Sequence, residues 1–252
     1  MVKVSPALSN IDKYTISKED MNFFYTNEAR GVRLQVDYLK AEEKMQKEGI
    51  KHTIVVFGSA KTKEDDKYYK EARKFGSLVG SSRENPEDCN VTIMTGGGPG
   101  IMEAANRGAY DVGAKSIGLN IRLPHEQTPN SYITPELSFH FYYFAMRKLH
   151  FMQRAKALVV FPGGFGTLDE LFDILTLIQT GKSPMIPIVL ICRTFWESVI
   201  NFDFLIKENV INTDDMKLFT YVEDAQDAWD YIFSWYERKE IPLFKSNPMN
   251  NC

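Results

Sequence analysis

Short apolar runs alternate with helical runs along most of this chain, and three of the apolar runs end in glycine. Thr53 to Phe57, Val91 to Met94, Ser116 to Ile121, residues 157–161 and Ile186 to Ile191 read as buried strands. Helical patterns fall between them, over 64–79, 100–112, about 143–153, 167–180 and about 195–207, with a last helix from Asp224. Weaker strand signals lie near 137–141 and 218–222. Strand, helix and strand in repeated succession imply parallel pairing through right-handed crossovers. The expected fold is therefore α/β: a doubly wound, mostly parallel, Rossmann-like sheet with helices on both faces. At 252 residues and 44% apolar content, the chain can bury the core of one large domain. Ser17 opens a helical signal and residues 28–47 form a charged helical pattern that stops at Gly49. The expected organisation is a helical extension over 1–50, a nucleotide-binding domain over 51–240 and a tail over 241–252, with no internal repeat.

Two of the strand-to-helix junctions are almost free of side chains. Residues 157–161 run into Pro162-Gly163-Gly164-Phe165-Gly166-Thr167-Leu168-Asp169-Glu170, after which Leu168, Leu171, Phe172, Leu175 and Ile178 recur at helical spacing. Upstream, residues 91–94 run into Thr95-Gly96-Gly97-Gly98-Pro99-Gly100-Ile101-Met102-Glu103. A bare turn at the amino end of a helix is an anion site, because unpaired N–H groups and the helix dipole both favour negative charge. A third glycine turn, Gly58-Ser59, follows the first strand. In a doubly wound sheet the ligand lies beyond the carboxyl ends of the strands, where strand order reverses, so the three turns should meet at one crevice. The dinucleotide pattern GxGxxG fails, since its third position falls on Ile101, and GxxxxGK[ST] is absent. Phosphate held by backbone and dipole alone suits a nucleoside monophosphate, in which phosphate anchors and does not react.

Composition removes other classes. A net charge of −3 without a basic tract argues against nucleic acid as a partner. Cys89, Cys192 and Cys252 are scattered and contain no CxxC pair, which fits a reducing, cytoplasmic setting and neither a disulfide framework nor a zinc site. No signal-peptide pattern and no apolar run of membrane-spanning length is present. His52, His125, His140 and His150 lack metal-ligand spacing. Neither metal nor cofactor is expected.

Arg147-Lys148, followed 23 positions after Arg147 by the Glu170 that closes Pro162-Gly163-Gly164-Phe165-Gly166-Thr167-Leu168-Asp169-Glu170, together with the Gly96 to Glu103 turn, resembles the "lonely guy" (LOG) family of nucleoside 5′-monophosphate phosphoribohydrolases. The likeness covers about residues 50–225. It implies that Arg147 and Glu170 are the catalytic pair, and that a nucleoside monophosphate such as AMP or a cytokinin-like derivative is split into free base and ribose 5-phosphate. Gly58, Ser59, Gly96, Gly97, Gly98, Gly100, Met102, Lys148, Gly163, Gly164, Gly166 and Thr167 become the expected substrate contacts. Phe144-Ala145-Met146 before the Arg-Lys pair is closer to the longer bacterial members than to plant-type ones, which carry Met-His-x there and make hormone. The resemblance also implies a homodimer or higher homo-oligomer with the site near the shared surface. Molybdenum-cofactor carrier proteins resemble the family in their glycine turns, so a nucleotide-binding or cofactor-carrying protein is the alternative. Members of the family are also labelled lysine decarboxylases, yet no lysine here sits in a recognisable pyridoxal-phosphate context.

Plainer roles are open for the same residues. Thr167 and Glu170 have the spacing of a capping box. Ser59 either meets ligand or caps the next helix, and Lys148 either meets phosphate or is a surface charge. The loop over 122–134, with His125 and Glu126, either closes over ligand or is inert surface. The aromatic residues Phe139, Phe141, Tyr142, Tyr143, Phe144 and Phe151 around Arg147 either pack the core, stack a purine or fill a subunit interface. The acid that assists departure of the base has no assignment.

Overall fold

The computed structural model describes residues 17–82, 91–121 and 128–240. Seven strands, β1 (His52–Phe57), β2 (Val91–Thr95), β3 (Ser116–Ile121), β4 (Ser138–Phe141), β5 (Ala155–Val160), β6 (Ile188–Ile191) and β7 (Thr220–Val222), pair in parallel in the order β4-β3-β2-β1-β5-β6-β7. The chain moves outward from β1 to β4, then returns to the other side of β1 with β5. Strand order reverses between β1 and β5, the point at which a doubly wound sheet seats a ligand beyond the carboxyl ends of its strands.

The central strands are buried on both faces, so successive side chains feed two cores. Val55 and Phe57 of β1 with Leu158 and Val160 of β5 pack on one side with Phe151, Leu171, Ile174 and Trp196. Ile54 and Val56 with Ala157 and Val159 pack on the other with Phe75, Ile101, Ala105 and Ile232. The helices that supply the first core are α2 (Arg30–Lys47), α5 (Phe144–Gln153), α6 (Phe165–Gln179), α7 (Arg193–Val199) and α8 (Phe202–Lys207). Those of the second are α3 (Lys67–Ser81), α4 (Ile101–Asp111) and α9 (Ala225–Arg238). The α3 and α4 backbones approach so closely that a Cβ at Gly76 would fall on the Ala105 carbonyl oxygen, and one at Gly108 on that of Arg73.

Caps account for where the helices start. Asp66 Oδ1 accepts the N–H of Tyr68, so α3 begins at Lys67 and not at 64. The helical run expected near 195–207 is two helices, because the chain extends at Ile200 and Asn201 Oδ1 then accepts the N–H of Phe204 to begin α8. At the amino end, Ser17 and Asp20 form a reciprocal capping box for α1 (Lys18–Phe24).

The charged α2 is no loose appendage, since Ala41 and Met45 are fully buried in the first core. Glu42 on its inner face lies 2.5 Å from Arg154 Nη2, and Arg154 Nε donates to the Ile50 carbonyl. Burial works against the ionised Glu42 carboxyl. The Arg154 hydrogen bond and charge prevail, and its pKa lies below the ordinary value. Removing one member of a buried pair strands the other charge. Glu42→Ala is therefore expected to lower unfolding free energy by about 3–5 kcal/mol, read as a shifted denaturant midpoint at unchanged m-value. That contribution should be present near neutral pH and fade as pH falls through the depressed Glu42 pKa.

Candidate functional site

Three turns touch at the strand-order reversal. After β1, the Ser59 N–H donates to the Pro162 carbonyl at 3.0 Å, joining the first glycine turn to the one after β5. The Ser59 carbonyl accepts the Ile101 N–H at 3.1 Å, joining it to the turn after β2. A Cβ at Gly58 would lie 2.6 Å from the Ile101 side chain, and one at Gly100, whose φ is +69°, would strike the Ser59 carbonyl. These two glycines allow the turns to close on each other. Ser59 Oγ accepts the Lys61 N–H at 3.1 Å, and Asp66 caps the following helix, so the capping role considered for Ser59 does not hold.

The turn after β2 rests on buried side-chain hydrogen bonds. Thr95 Oγ1 accepts the Gly97 N–H at 3.0 Å and donates to Asn106 Oδ1 at 2.7 Å. Asn130 Nδ2 donates to the carbonyls of Gly97 and Gly98 and to Asn106 Oδ1, and the Asn130 N–H also donates to Gly97. A fully satisfied network of this kind rigidifies a turn. Thr95, Asn106 and Asn130 had no motif to announce them, although a polar Asn106 among buried alanines is a visible anomaly in the sequence. Asn120, at the end of β3, lies against Gly97, where a Cβ would come within 2.4–2.6 Å of its amide. Asn120 is buried, and its Nδ2 has no partner among the described residues.

Arg147 and Glu170 meet at this place. Arg147 lies in the first turn of α5 and Glu170 in the second turn of α6, with Nη1 to Oε1 at 3.9 Å and 13% and 7% of their side chains exposed. Arg147 Nε donates to the Leu119 carbonyl at 2.6 Å, and the guanidinium lies over the Phe151 ring, 5.1 Å from its centre. Nη2 points at Gly96: a Cβ there would be 2.5 Å from it and 2.8 Å from the sulfur of Met102. Burial pushes the Arg147 pKa down, with Glu170 opposing. Burial pushes the Glu170 carboxyl up to about 7 against the pull of Arg147 and Lys148. Glu170 is thus a carboxyl that exchanges its proton near neutrality, in the range suited to general acid–base work.

The turn after β5 is more open. Gly164 is the N-cap of α6, which starts at Phe165 without a side-chain cap and without an acidic residue in its first turn. Thr167 is the third residue of α6, with its hydroxyl packed against Gly163, so the capping box considered for Thr167 and Glu170 is not formed. A Cβ at Gly164 or Gly166 would enter open space, so packing gives no reason for glycine at either position. Lys148 is bound to Asp169 at 2.9 Å and Asp173 at 3.2 Å, bridging α5 to α6.

The aromatic patch divides. Phe141 and Phe151 are core, Tyr143 is half-buried, and Tyr142 and Phe144 are exposed. Phe165, at the tip of the turn, is 91% exposed. His150 is buried on the Tyr38 carbonyl, His140 is exposed, and His52 is held down at about 4 by burial beside Lys156 and Lys51. His125 and Glu126 lie outside the described residues. No group of three potential metal ligands occurs among the described residues, and no helix among them is long and apolar enough to cross a membrane.

The fold is a Rossmann-like parallel sheet with an Arg and a Glu buried near the glycine turns, and the sequence adds its relatives. Residues 102–232 match the family described as "Possible lysine decarboxylase", and the chain belongs to that family, the LOG family. It is 24% identical over 156 residues, 56% of this chain and 68% of the relative, to "Probable cytokinin riboside 5'-monophosphate phosphoribohydrolase LOGL3" of Oryza sativa subsp. japonica. It is 26% identical over 176 residues, 68% of this chain and 76% of the relative, to "Cytokinin riboside 5'-monophosphate phosphoribohydrolase LOG3" of Arabidopsis thaliana. Among solved structures it shares its fold with the molybdenum cofactor binding protein from the phototrophic bacterium Rippkaea orientalis, at TM-score 0.52 and 18% identity over 73% of this chain and 97% of that one.

The contact at Gly96 yields a direct check. In Gly96→Ala the flexible end of Arg147 must move while the backbone can stay. Unfolding temperature is expected to hold within a few degrees, while solvent exchange of the Arg147 Nε–H, followed by NMR, quickens about tenfold or more as the guanidinium is displaced.

Proposed function

We propose that this chain hydrolyses the N-glycosidic bond of a nucleoside 5′-monophosphate, AMP or a cytokinin-like derivative, to free base and ribose 5-phosphate. The observation that carries the reading is the buried Arg147–Glu170 pair, 3.9 Å apart, beside glycine turns where α4 and α6 begin without side-chain caps. Phosphate would be anchored by those turns and helix ends, through Gly96, Gly97, Gly98, Gly100, Gly163, Gly164, Gly166 and Thr167. Gly58 and Ser59 close the floor of the crevice, and Met102 flanks its rim. The ribose then lies against Glu170. As the C1′–N bond breaks, positive charge grows on the ribose, and the ionised Glu170 carboxylate stabilises it and orients the water whose oxygen bonds to C1′. One proton of that water passes to Glu170 and on to solvent, and the base departs with a proton taken from solvent, so one water is consumed for each bond broken. Arg147 remains charged and acts by position and electrostatics, because guanidinium does not release its proton near neutral pH.

Lys148, paired with Asp169 and Asp173, contributes by tying α5 to α6 and by its charge near Glu170. The exposed apolar surface of Phe144, Leu149, Phe165 and Phe172 supports a homodimer that covers this edge of the site. The carrier alternative rests on likeness of fold, and a carrier has no need of a carboxylate buried beside an arginine.

Incubation with AMP and a panel of other monophosphates, with free base followed by chromatography, tests the proposal. Turnover is expected, with kcat lower by about 10²–10³ or more in Glu170→Gln and Arg147→Ala. Tight binding with no release of base from any of them would mark a carrier and end the hydrolase reading. The pH profile is a second check. Glu170 is protonated below and ionised above about 7, so kcat/KM should rise with pH across that value and the rising limb should vanish in Glu170→Gln.

A further inference from the structure

The helix that carries Arg147 lacks a cap of its own. The N-cap position of α5, Tyr143, makes no side-chain cap bond, and its first turn contains no acidic residue. Such an end has unpaired N–H groups and a positive partial charge that call for an acceptor. α2 places a carboxylate at this end and binds the two residues that lead into the helix. Asp37 Oδ2 receives the N–H of Tyr142 at 2.9 Å and that of Tyr143 at 2.9 Å. Beside it, Arg33 Nε donates to the Tyr143 hydroxyl at 3.1 Å, while Arg33 Nη1 donates to the carbonyls of Phe24 and Thr26. Farther along α5, His150 Nε2 donates to the Tyr38 carbonyl at 3.1 Å, its ring stacked on that of Tyr38, and Gln153 Nε2 donates to the Tyr38 hydroxyl at 3.0 Å.

α5 is thus clamped to α2 at both ends, and Arg147 sits at the end that Asp37 holds. The Arg147 N–H donates to the Tyr143 carbonyl at 3.3 Å, so the guanidinium is borne on the turn whose start Asp37 fixes. Asp37 lies outside the 102–232 segment that matches the family. We propose that Asp37 is a positioning residue for Arg147, and that the helices preceding β1 are for this reason a working part of the candidate site. Without the carboxylate, the first turn of α5 frays and the guanidinium leaves its place between the Leu119 carbonyl, Gly96 and Glu170. The consequence for catalysis rests on the hydrolase reading above, whereas the consequence for Arg147 itself does not.

The test compares wild type, Asp37→Ala and Asp37→Asn in the full chain. One readout is solvent exchange of the Arg147 Nε–H, followed by NMR, together with amide exchange over 142–147. The other is kcat and KM for base release from AMP. In Asp37→Ala, exchange at Arg147 Nε–H and over 142–147 is expected to quicken at least about tenfold while the amides of β1 and β5 keep their protection, and kcat to fall about ten- to a hundredfold. Asp37→Asn, whose amide oxygen still accepts the same two N–H groups, should recover most of both. Unchanged exchange at Arg147 in Asp37→Ala, or a loss of protection spread evenly over the whole sheet, overturns the proposal. So does quickened local exchange at unaltered kcat. If wild type releases base from no monophosphate, the hydrolase reading fails by itself and the Arg147 exchange alone decides whether Asp37 positions it.

Discussion

Two opposite charges share a space with little water, and they do not neutralise each other. Arg147 and Glu170 stand 3.9 Å apart, farther than a paired hydrogen bond requires, because Arg147 has turned its Nε onto the Leu119 carbonyl. One guanidinium nitrogen is thereby tied to the sheet while another faces Gly96. The same dryness that raises the Glu170 carboxyl to about 7 also strengthens its action on any charge that forms nearby. A close, bidentate pair would hold the carboxyl ionised and occupied. The looser arrangement keeps it available.

The sheet explains why such a pair can exist at all. Reversal of strand order between β1 and β5 sets three turns side by side, and their hydrogen bonds through Ser59 make one floor of them. Glycine enters for different reasons at different points of that floor. Gly58 and Gly100 are there because another part of the chain occupies the space a side chain would need, and Gly96 because Arg147 does. Gly164 and Gly166 have free space in front of them, which is where a molecule from outside can approach backbone N–H groups.

The position of the arginine is set from farther away. α5 reaches its place through the turn that follows β4, but what holds it is α2, through Asp37, Arg33 and Tyr38. Below them the Glu42–Arg154 pair fixes the inner face of α2 to the start of β5. Support for a site from outside its own elements is common where geometry must be kept to a fraction of an ångström.

The alternation of apolar and helical runs was enough to predict the parallel sheet, since only helices on both faces satisfy strands that are apolar on both sides. The glycine turns were equally plain, because turns and helix starts are governed by residues adjacent in sequence, whereas the pairing of Arg147 with Glu170 was implied by the family resemblance alone. What escaped was whatever joins distant segments. The capping box apparent at Thr167 and Glu170 is not formed, because α6 begins at Phe165 and carries both residues past the cap position. The Asp37 carboxylate that binds the residues leading into α5 lies 106 residues from Tyr143, the Leu119 carbonyl that orients Arg147 is 28 residues away, and Asn130 supports a turn 33 residues earlier. Local order in this protein is written in periodicity and in glycine. The direction of the guanidinium and the ionisation of the carboxyl depend on burial and on partners that only the folded chain brings within reach, and no local pattern encodes those.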